Sequence, residues 1–145
     1  METLEVRIVE TEQEREDAFA VRHEVFVTEQ GVSEEIEYDA HDETATHFIA
    51  YDGDDPIGAA RLREYADGVG KVERVAVRAS RREAGVGRAL MATLEQRAEV
   101  LGFDTLVLHS QTQAAGFYRT LGYERHGAAF EEAGLPHVEM RKSLD

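Results

Sequence analysis

The sequence predicts one α/β (α+β) domain built on a mixed, mostly antiparallel sheet flanked by helices. Early in the chain, short runs alternate polar and apolar residues between turn signals, as antiparallel strands do. Later, apolar residues recur at helical spacing between two strand-like runs, which is typical of a helical crossover. The 145 residues, 42% of them hydrophobic, match one domain spanning residues 1–145 with one core.

The first half of the chain predicts a strand, a helix and three further strands. Alternation over residues 4–9 predicts the first strand, and Thr11 with Glu14 forms a capping box that begins a helix. Residues 30–43 are acidic and irregular, so we expect a loop or a short helix there. Further strands are predicted over 46–51 and 57–63, joined by an Asp-Gly turn, and from Lys71 to Val77.

The second half predicts two helices that alternate with strands. Apolar residues from Val86 to Leu101 recur at helical spacing, and Gly102 is suited to end that helix. A compact apolar strand from Thr105 to His109 follows, then a short helix over 114–121 and two strands over 123–130 and 137–142. The order β-α-(α)-β-β-β-α-β-α-β-β indicates a sheet of six to seven strands with about four helices.

Composition excludes several classes of protein. The 30 acidic and 16 basic residues give a formal net charge of −14, and such a field repels phosphate, so no nucleic-acid partner is expected. Because there is no cysteine, disulfides, thiolate metal sites and cysteine nucleophiles are excluded. No apolar run approaches the roughly 18 residues that cross a bilayer, and the N-terminus is not signal-like, so we expect a cytoplasmic protein without a membrane partner. The acidity is interpreted as a surface suited to high salt or as attraction for a cationic substrate.

One segment reverses this acidity. Between Arg74 and Arg88, five arginines accompany one acid, Glu83, which gives a local charge of +4. A strand ends near Val77 and a helix begins near Gly85, so the N–H groups of a first helical turn point outward beside backbone without side chains. That geometry binds phosphate, and arginines add to it. A glycine-containing turn with incidental arginines is the alternative.

The spacing of this segment fits neither the Walker nor the dinucleotide-binding pattern. Arg82-x-x-Gly85-x-Gly87 after a strand resembles the acyl-CoA-binding motif of the GNAT N-acetyltransferase superfamily. Downstream, the run Ala115-Gly-Phe-Tyr118-Arg-Thr-Leu-Gly-Tyr123 resembles the second cofactor-side element of that family. The runs over 22–30, 108–111 and 132–140 resemble its ElaA-like branch, with departures at Ser110 and Ala133 that do not touch the cofactor motif.

The resemblance implies an N-acetyltransferase that transfers the acetyl group of acetyl-CoA, its acyl donor co-substrate, to an amine by direct attack in a ternary complex. The acceptor would be a small-molecule or peptide amine, no metal would take part, and a homodimer is consistent with so small an acetyltransferase. The sheet is expected to splay between the strand from Lys71 to Val77 and the strand from Thr105 to His109. A non-catalytic acyl-CoA-binding or regulatory module on the same fold is the alternative.

The same resemblance places the cofactor between the splayed strands and at the helix start. Backbone groups of Val75 and Val77 would bond the pantetheine arm, with the Val75 N–H facing the developing oxyanion. Their side chains are equally compatible with the core. The residues expected to bind the cofactor are Val75, Ala76, Val77, Arg82, Glu83, Ala84, Gly85, Val86, Gly87, Arg88 and Gln111.

Two catalytic residues are predicted. Tyr118 matches the tyrosine that commonly protonates the leaving sulfur, and packing against the last helix is its alternative role. Glu73 lies two residues before Val75 on the same strand face and matches a glutamate that acts through water. Its alternative is an ion pair with Arg61 or Arg74. An ordinary amine and an ordinary glutamate differ by about 6 pKa units, so transfer to Glu73 needs a relay, burial or an acceptor of low pKa.

The acceptor side is the part of the site that the sequence determines least. The rival bases are His47, His109 and His137. Their spacing lacks the His-x-x-x-His pattern of a metal site, so no metal is expected. Residues 23–60 contain no lysine or arginine, so Glu29 and the acids after it would attract an ammonium group. Arg22 and Arg61, which flank this stretch, would instead hold an acceptor carboxylate.

Overall fold

The computed structural model describes residues 4–144, in which seven strands form one sheet with helices on both faces. The strands are β1 (Leu4–Ile8), β2 (Thr46–Asp52), β3 (Asp55–Ala66), β4 (Val69–Val77), β5 (Thr105–Gln111), β6 (Glu124–Glu132) and β7 (Leu135–Ser143). The α-helices are α1 (Glu12–Arg22), α2 (Glu34–Glu37), α3 (Val86–Val100) and α4 (Ala115–Thr120). A π-helical segment (His23–Glu29) continues α1, and 3₁₀ turns lie at Ala40–Glu43, Ala79–Arg81 and Thr112–Ala114.

The sheet has the strand order β1-β2-β3-β4-β5-β7-β6. Neighbouring strands are antiparallel except β4 and β5, which are parallel because α3 crosses over between them. The predicted mixed, mostly antiparallel sheet of six to seven strands with about four helices is confirmed. A loop or a short helix was expected for the acidic segment over 30–43, and this segment contains the short helix α2 and a 3₁₀ turn.

Local sequence signals set the two longest helices. The Thr11 side chain accepts a hydrogen bond from the Glu14 N–H, and the Glu14 side chain accepts one from the Thr11 N–H, so the predicted capping box begins α1. Apolar residues of α1 pack on one face of the sheet, against Ile49 among others. Buried residues of α3 at three- and four-residue spacing, such as Leu90 and Leu94, pack on the other face. Among the residues described, no helix combines the length and apolar character needed to cross a membrane.

The sheet divides where β4 meets β5. These strands pair only from Val69 with Thr105 to Val72 with Leu108, after which β4 turns away. A bulge follows directly, because two residues of β4 lie opposite one residue of β3 around Arg74, whose φ of 57° is left-handed. The predicted splay between these two strands is confirmed, and it opens the sheet at its centre.

The bulge at Arg74 is held by the acidic segment. The Arg74 Nε donates to the Glu37 carbonyl oxygen (3.0 Å), and its Nη2 donates to the Ile36 carbonyl oxygen (3.0 Å). These bonds offset the cost of a left-handed backbone at a residue with a Cβ. The segment around α2 therefore fixes the direction in which β4 leaves the sheet.

Candidate active site

A cavity of about 1320 Å³ occupies the gap between the splayed ends of β4 and β5. Its walls come from these strands, the start of α3, α4, the π-helical segment and the β6–β7 hairpin. The predicted site residues that line it are Glu29, Glu73, Val75, Ala76, Val77, Arg82, Glu83, Gly85, Val86, Gly87, Arg88, His109, Gln111, Tyr118 and His137. Ala84, Arg22, His47 and Arg61 are not among its lining residues.

The start of α3 forms one end of this cavity. Gly85 is the N-cap residue with a left-handed φ of 86°, and no side chain caps the helix. The Ala89 N–H donates to the Gly85 carbonyl oxygen (3.0 Å), so the N–H groups between these residues precede the first intrahelical bond. At Gly87, a Cβ would lie 3.2 Å from the Phe117 ring, so glycine allows α4 to pack closely here. The helix start therefore presents free N–H donors and partial positive charge, which suit a phosphate group.

Four of the five arginines near this helix start are bound to carboxylates of the protein itself, and three of these four join separate elements of the fold. These three are Arg74, with Glu37 and Asp39, Arg78, with Glu24 and Asp55, and Arg81, with Asp52 and Asp55. The expectation that the local excess of positive charge serves a polyanionic ligand does not hold for these three. Their ion pairs hold β4 and the loop after it against the β2–β3 hairpin, the π-helical segment and the segment around α2. Arg88 remains for a ligand, and Arg82 does so only where a ligand displaces its own partner, Glu29.

Arg82, the arginine of the predicted cofactor motif, pairs with Glu29 across the mouth of the cavity. Its Nη1 and Nη2 atoms lie 2.5 and 2.7 Å from the Glu29 carboxylate oxygens, and its Nε donates to the Val77 carbonyl oxygen (3.1 Å). The hydrogen bond from Arg82 lowers the pKa of Glu29, so this carboxylate is charged. Arg88 donates to the Thr120 hydroxyl (3.3 Å) and has no carboxylate partner within residues 4–144.

The next residue along, Gln30, reaches the opposite wall. The Gln111 Nε2 at the end of β5 donates to Gln30 Oε1 (2.8 Å). Glu29 thus contacts the loop after β4, whereas Gln30 contacts β5. The end of the π-helical segment therefore spans the gap between the two splayed strands.

Tyr118 lies in α4 with its ring buried and borders the cavity. Its ring meets Phe117 edge-on at 5.0 Å and Tyr123 edge-on at 5.9 Å between centroids, so its position is fixed by packing. Burial raises the pKa of Tyr118 above its ordinary value, so the hydroxyl keeps its proton at neutral pH. The group can serve as a proton donor but not as a base.

Glu73 on β4 is surrounded by cations. Its carboxylate lies 2.8 Å from Arg61 Nη2, 2.7 Å from Arg63 Nε and 3.4 Å from Lys71 Nζ. Burial alone would raise the pKa of Glu73, but the hydrogen bond from Arg63 and the charges of Arg61 and Lys71 lower it to about 2. An ordinary amine would then differ from it by about 8 pKa units. The geometry thus argues against the predicted role of Glu73 as proton acceptor, and its alternative role as an ion-pair partner of Arg61 is observed.

Arg22, Arg61 and His47 lie below the cavity floor, which corrects their predicted place on the acceptor side. Both arginines are fully buried. Arg22 bonds Glu37 and Asp42 at 2.8 Å each, and Arg61 reaches Asp42 at 2.9 Å. The His47 Nε2 donates to the Asp42 carbonyl oxygen (2.8 Å), and its ring lies beside a separate, smaller cavity. All three groups have internal partners and none lines the cavity, so they are not placed to hold an acceptor.

The two remaining histidines, His109 on β5 and His137 on β7, lie on one wall of the cavity. His109 Nδ1 lies 3.0 Å from Glu132 Oε1, and its Nε2 lies 3.4 Å from Glu139 Oε1. His137 Nδ1 donates to the Leu135 carbonyl oxygen (2.8 Å), and its Nε2 lies 3.9 Å from Glu132 Oε2. In the part of the chain that the structure describes, no group of three or more His, Asp and Glu side chains is placed to hold a metal ion.

An uncapped helix start beside a sheet that divides between two parallel strands is the arrangement expected of an acyl-CoA-dependent acyltransferase. The chain belongs to the GNAT acetyltransferases, because residues 9–144 match the family model described as an acetyltransferase (GNAT) domain. The membership predicted from the sequence is confirmed.

Individual relatives agree with this assignment. The uncharacterized N-acetyltransferase YjcF of Bacillus subtilis is 44% identical over 136 residues, which cover 93% of this chain and 96% of YjcF. A crystal structure from Lactobacillus plantarum, provisionally assigned as an N-acetyltransferase, has a TM-score of 0.91 at 33% identity and covers 98% of this chain and 99% of its own. Escherichia coli ElaA shares the fold, with a TM-score of 0.86 at 23% identity over 97% of this chain and all of its own.

Proposed function

We propose that this protein is an N-acetyltransferase that moves the acetyl group of acetyl-CoA onto an amine by direct attack in a ternary complex. One observation carries the proposal: the uncapped start of α3 and the Tyr118 side chain border the same cavity. The first suits a phosphate-bearing donor, and the second suits protonation of a leaving group. The acceptor is a small-molecule or peptide amine.

The fit of acetyl-CoA is supported at both ends of the gap. The N–H groups of the first turn of α3, with Arg82 and Arg88, would hold its phosphates. Beyond Val72, β4 has no strand partner on its β5 side within residues 4–144, so its backbone edge would bond the pantetheine arm at Val75 and Val77. When bound, acetyl-CoA supplies an acetyl group activated as a thioester.

Three groups of this chain would then act on the reaction. The Val75 N–H donates to the carbonyl oxygen on which negative charge develops. The Tyr118 hydroxyl donates its proton to the sulfur that leaves. Glu73 is kept charged by three cations, so it does not accept a proton. Its role is to position Lys71 and Arg63, which line the cavity.

Binding and turnover test this function separately. Acetyl-CoA at 100 times its Kd is expected to stabilise the folded protein by about 2.7 kcal/mol, measured as a rise in melting temperature. A pantetheine thioester without the nucleotide should stabilise it less at equal concentration, because it lacks the phosphates that α3 binds. Free-thiol release across a panel of amines, in low and high salt, measures transfer. No stabilisation by acetyl-CoA would refute any acyl-CoA function, and binding without turnover would favour the non-catalytic module.

We expect Glu29→Gln to tighten CoA binding by about two- to fivefold, since an exposed ion pair contributes roughly 0.2–1 kcal/mol. In the structure Glu29 occupies the Arg82 guanidinium, and a phosphate has to displace it. Glu24→Gln is the matched control, because Glu24 lies on the same π-helical segment but pairs with Arg78 (2.9 Å). Titration calorimetry with CoA measures both variants. Weaker binding by Glu29→Gln, or an equal gain in Glu24→Gln, would contradict the competition.

A further inference from the structure

An amine that attacks a thioester loses a proton, and a basic atom in the cavity has to receive it. Glu73 is unsuited because three cations hold its charged form. The histidines that line the cavity are His41, His109 and His137. Imidazole is the side chain that ordinarily exchanges a proton near neutral pH. His41 is exposed on a 3₁₀ turn, which leaves the pair on β5 and β7.

Both ring nitrogens of His109 face carboxylates. Nδ1 lies 3.0 Å from a Glu132 oxygen and Nε2 lies 3.4 Å from a Glu139 oxygen, and a carboxylate oxygen can only accept hydrogen bonds. Neither nitrogen is left to face an acceptor amine. His109 is therefore a bridge between β6 and β7.

His137 has the opposite arrangement. A carbonyl oxygen accepts, so the bond of Nδ1 to the Leu135 oxygen (2.8 Å) requires a proton on Nδ1 and leaves the lone pair of the neutral ring on Nε2. Nε2 lies 3.9 Å from Glu132 Oε2, which is too far for a hydrogen bond but close enough for electrostatic attraction. The ring stacks on Phe130, with centroids 6.1 Å apart, so its orientation is fixed.

The strand register places His137 on the same face of the sheet as Lys71 and Glu73. His137 pairs with Gln111 and Glu139 pairs with His109, so these four side chains share one face of the sheet. Lys71 on β4 pairs with Val107, which lies two residues before His109, so β4 presents Lys71 and Glu73 on the same face.

We propose that His137 Nε2 is the atom that accepts the proton of the acceptor amine, with Glu132 stabilising the imidazolium that results. The inference rests on the proposed acetyltransferase function. As the amine nitrogen forms its bond to the acetyl carbon and the carbon–sulfur bond breaks, Nε2 takes the amine proton and the Tyr118 hydroxyl gives one to the sulfur. Return of the first proton to solvent and recovery of one by Tyr118 leave the protein unchanged and the products as amide and thiol.

The charged groups that face His137 support this assignment. They are Glu132 from β6 and, beyond it, His109 from β5 and Glu139 from β7. Glu132 is shared between the two rings, bonding His109 directly and facing His137 across 3.9 Å. A proton arriving on His137 thus meets a carboxylate that is already oriented toward it.

The test is the pH dependence of turnover in His137→Gln with acetyl-CoA and the best amine of the panel. We expect kcat to fall about 10²- to 10⁴-fold at pH 7, with the stabilisation by acetyl-CoA retained. The deficit should shrink as pH rises, because hydroxide can take the proton that the missing imidazole would accept, and its concentration grows tenfold per pH unit. His109→Gln removes the bridge that orients Glu132 but not the base, so it should lower kcat less than His137→Gln and its deficit should not close as pH rises.

Glu132→Gln provides the second variant, because this side chain is 45% exposed and we expect the fold to tolerate its replacement. We expect its kcat to fall about tenfold, because the imidazolium that forms on His137 loses the carboxylate that faces it, with the deficit again closing at high pH. If His137→Gln no longer binds acetyl-CoA, Glu132→Gln decides, and a normal kcat in it overturns the proposal. Full activity of His137→Gln, or a loss that is equal at every pH, also overturns it while leaving the acetyltransferase function standing. A wild-type protein without turnover would refute that function and this inference with it.

Discussion

Arg61→Met is expected to lower the free energy of unfolding by about 3–5 kcal/mol, which is the typical cost of removing one partner from a buried ion pair. The Arg61 guanidinium is fully buried and lies 2.7 Å from Asp39, 2.9 Å from Asp42 and 2.8 Å from Glu73. Methionine keeps most of the side-chain volume, so the fall in the free energy of unfolding reports the loss of the charge and not the loss of packing. Three carboxylates beneath the cavity would then repel one another with less compensation.

Denaturant unfolding at constant slope measures this loss, with Arg7→Met as the control. The Arg7 guanidinium pairs with Glu5 and Glu14 in contact with solvent, and its removal should leave the unfolding midpoint nearly unchanged. A drop for Arg61→Met no larger than that of Arg7→Met would contradict the assigned role.

The loss of stability in Arg61→Met is expected to depend on pH, and the direction of that dependence follows from two lowered pKa values. Burial alone would raise the pKa of Asp42, but Arg22 and Arg61 lower it to about 2, and the pKa of Glu73 is likewise lowered to about 2. Groups with lowered pKa values contribute stability above their ordinary pKa, near 4, and lose it as pH falls toward the folded value. The difference in stability between the wild type and Arg61→Met should therefore shrink between about pH 4 and pH 2.

The sequence predicts best what neighbouring residues determine. The capping box at Thr11 and the apolar stripe of α3 depend on residues within one or two helical turns, and both appear where expected. The free N–H groups at the start of α3 follow from Gly85 and the helix alone. The cofactor side of the candidate site could be proposed from the sequence for this reason, because its motif is contiguous.

The ion pairs beneath the cavity could not be predicted from the sequence, because the residues that form them are distant from one another in the chain. Arg22 bonds residues 15 and 20 positions away, and Arg74 bonds a carbonyl oxygen 38 positions away. In an acidic chain, Glu37, Asp39 and Asp42 look like solvated surface or an ammonium site, and their spacing carries no sign that arginines will bury them. A count of local charge likewise does not distinguish arginines that hold protein carboxylates from arginines left for a ligand.

Tyr118→Phe is expected to lower kcat by about 100- to 1000-fold and to leave CoA binding unchanged, because general-acid catalysis contributes in this range. The variant removes one oxygen from a ring that Phe117 and Tyr123 hold by edge-on packing, so the ring itself should stay in place. Single-turnover release of thiol measures the chemical step, and thermal stabilisation by CoA measures binding.

Tyr123→Phe is the matched control for that loss. Tyr123 is the buried neighbour of Tyr118, but its hydroxyl donates to Glu95 (2.8 Å) and it is not among the residues that line the cavity. Removal of its hydroxyl should lower stability and leave kcat within about threefold, since it takes part in no transition-state contact. If both variants lost activity alike, Tyr118 would act through packing. If Tyr118→Phe kept full activity, the sulfur would have to take its proton from water or from the acceptor. Only a loss confined to Tyr118, at constant CoA affinity, fits a buried hydroxyl that stays protonated and donates its proton to the leaving sulfur.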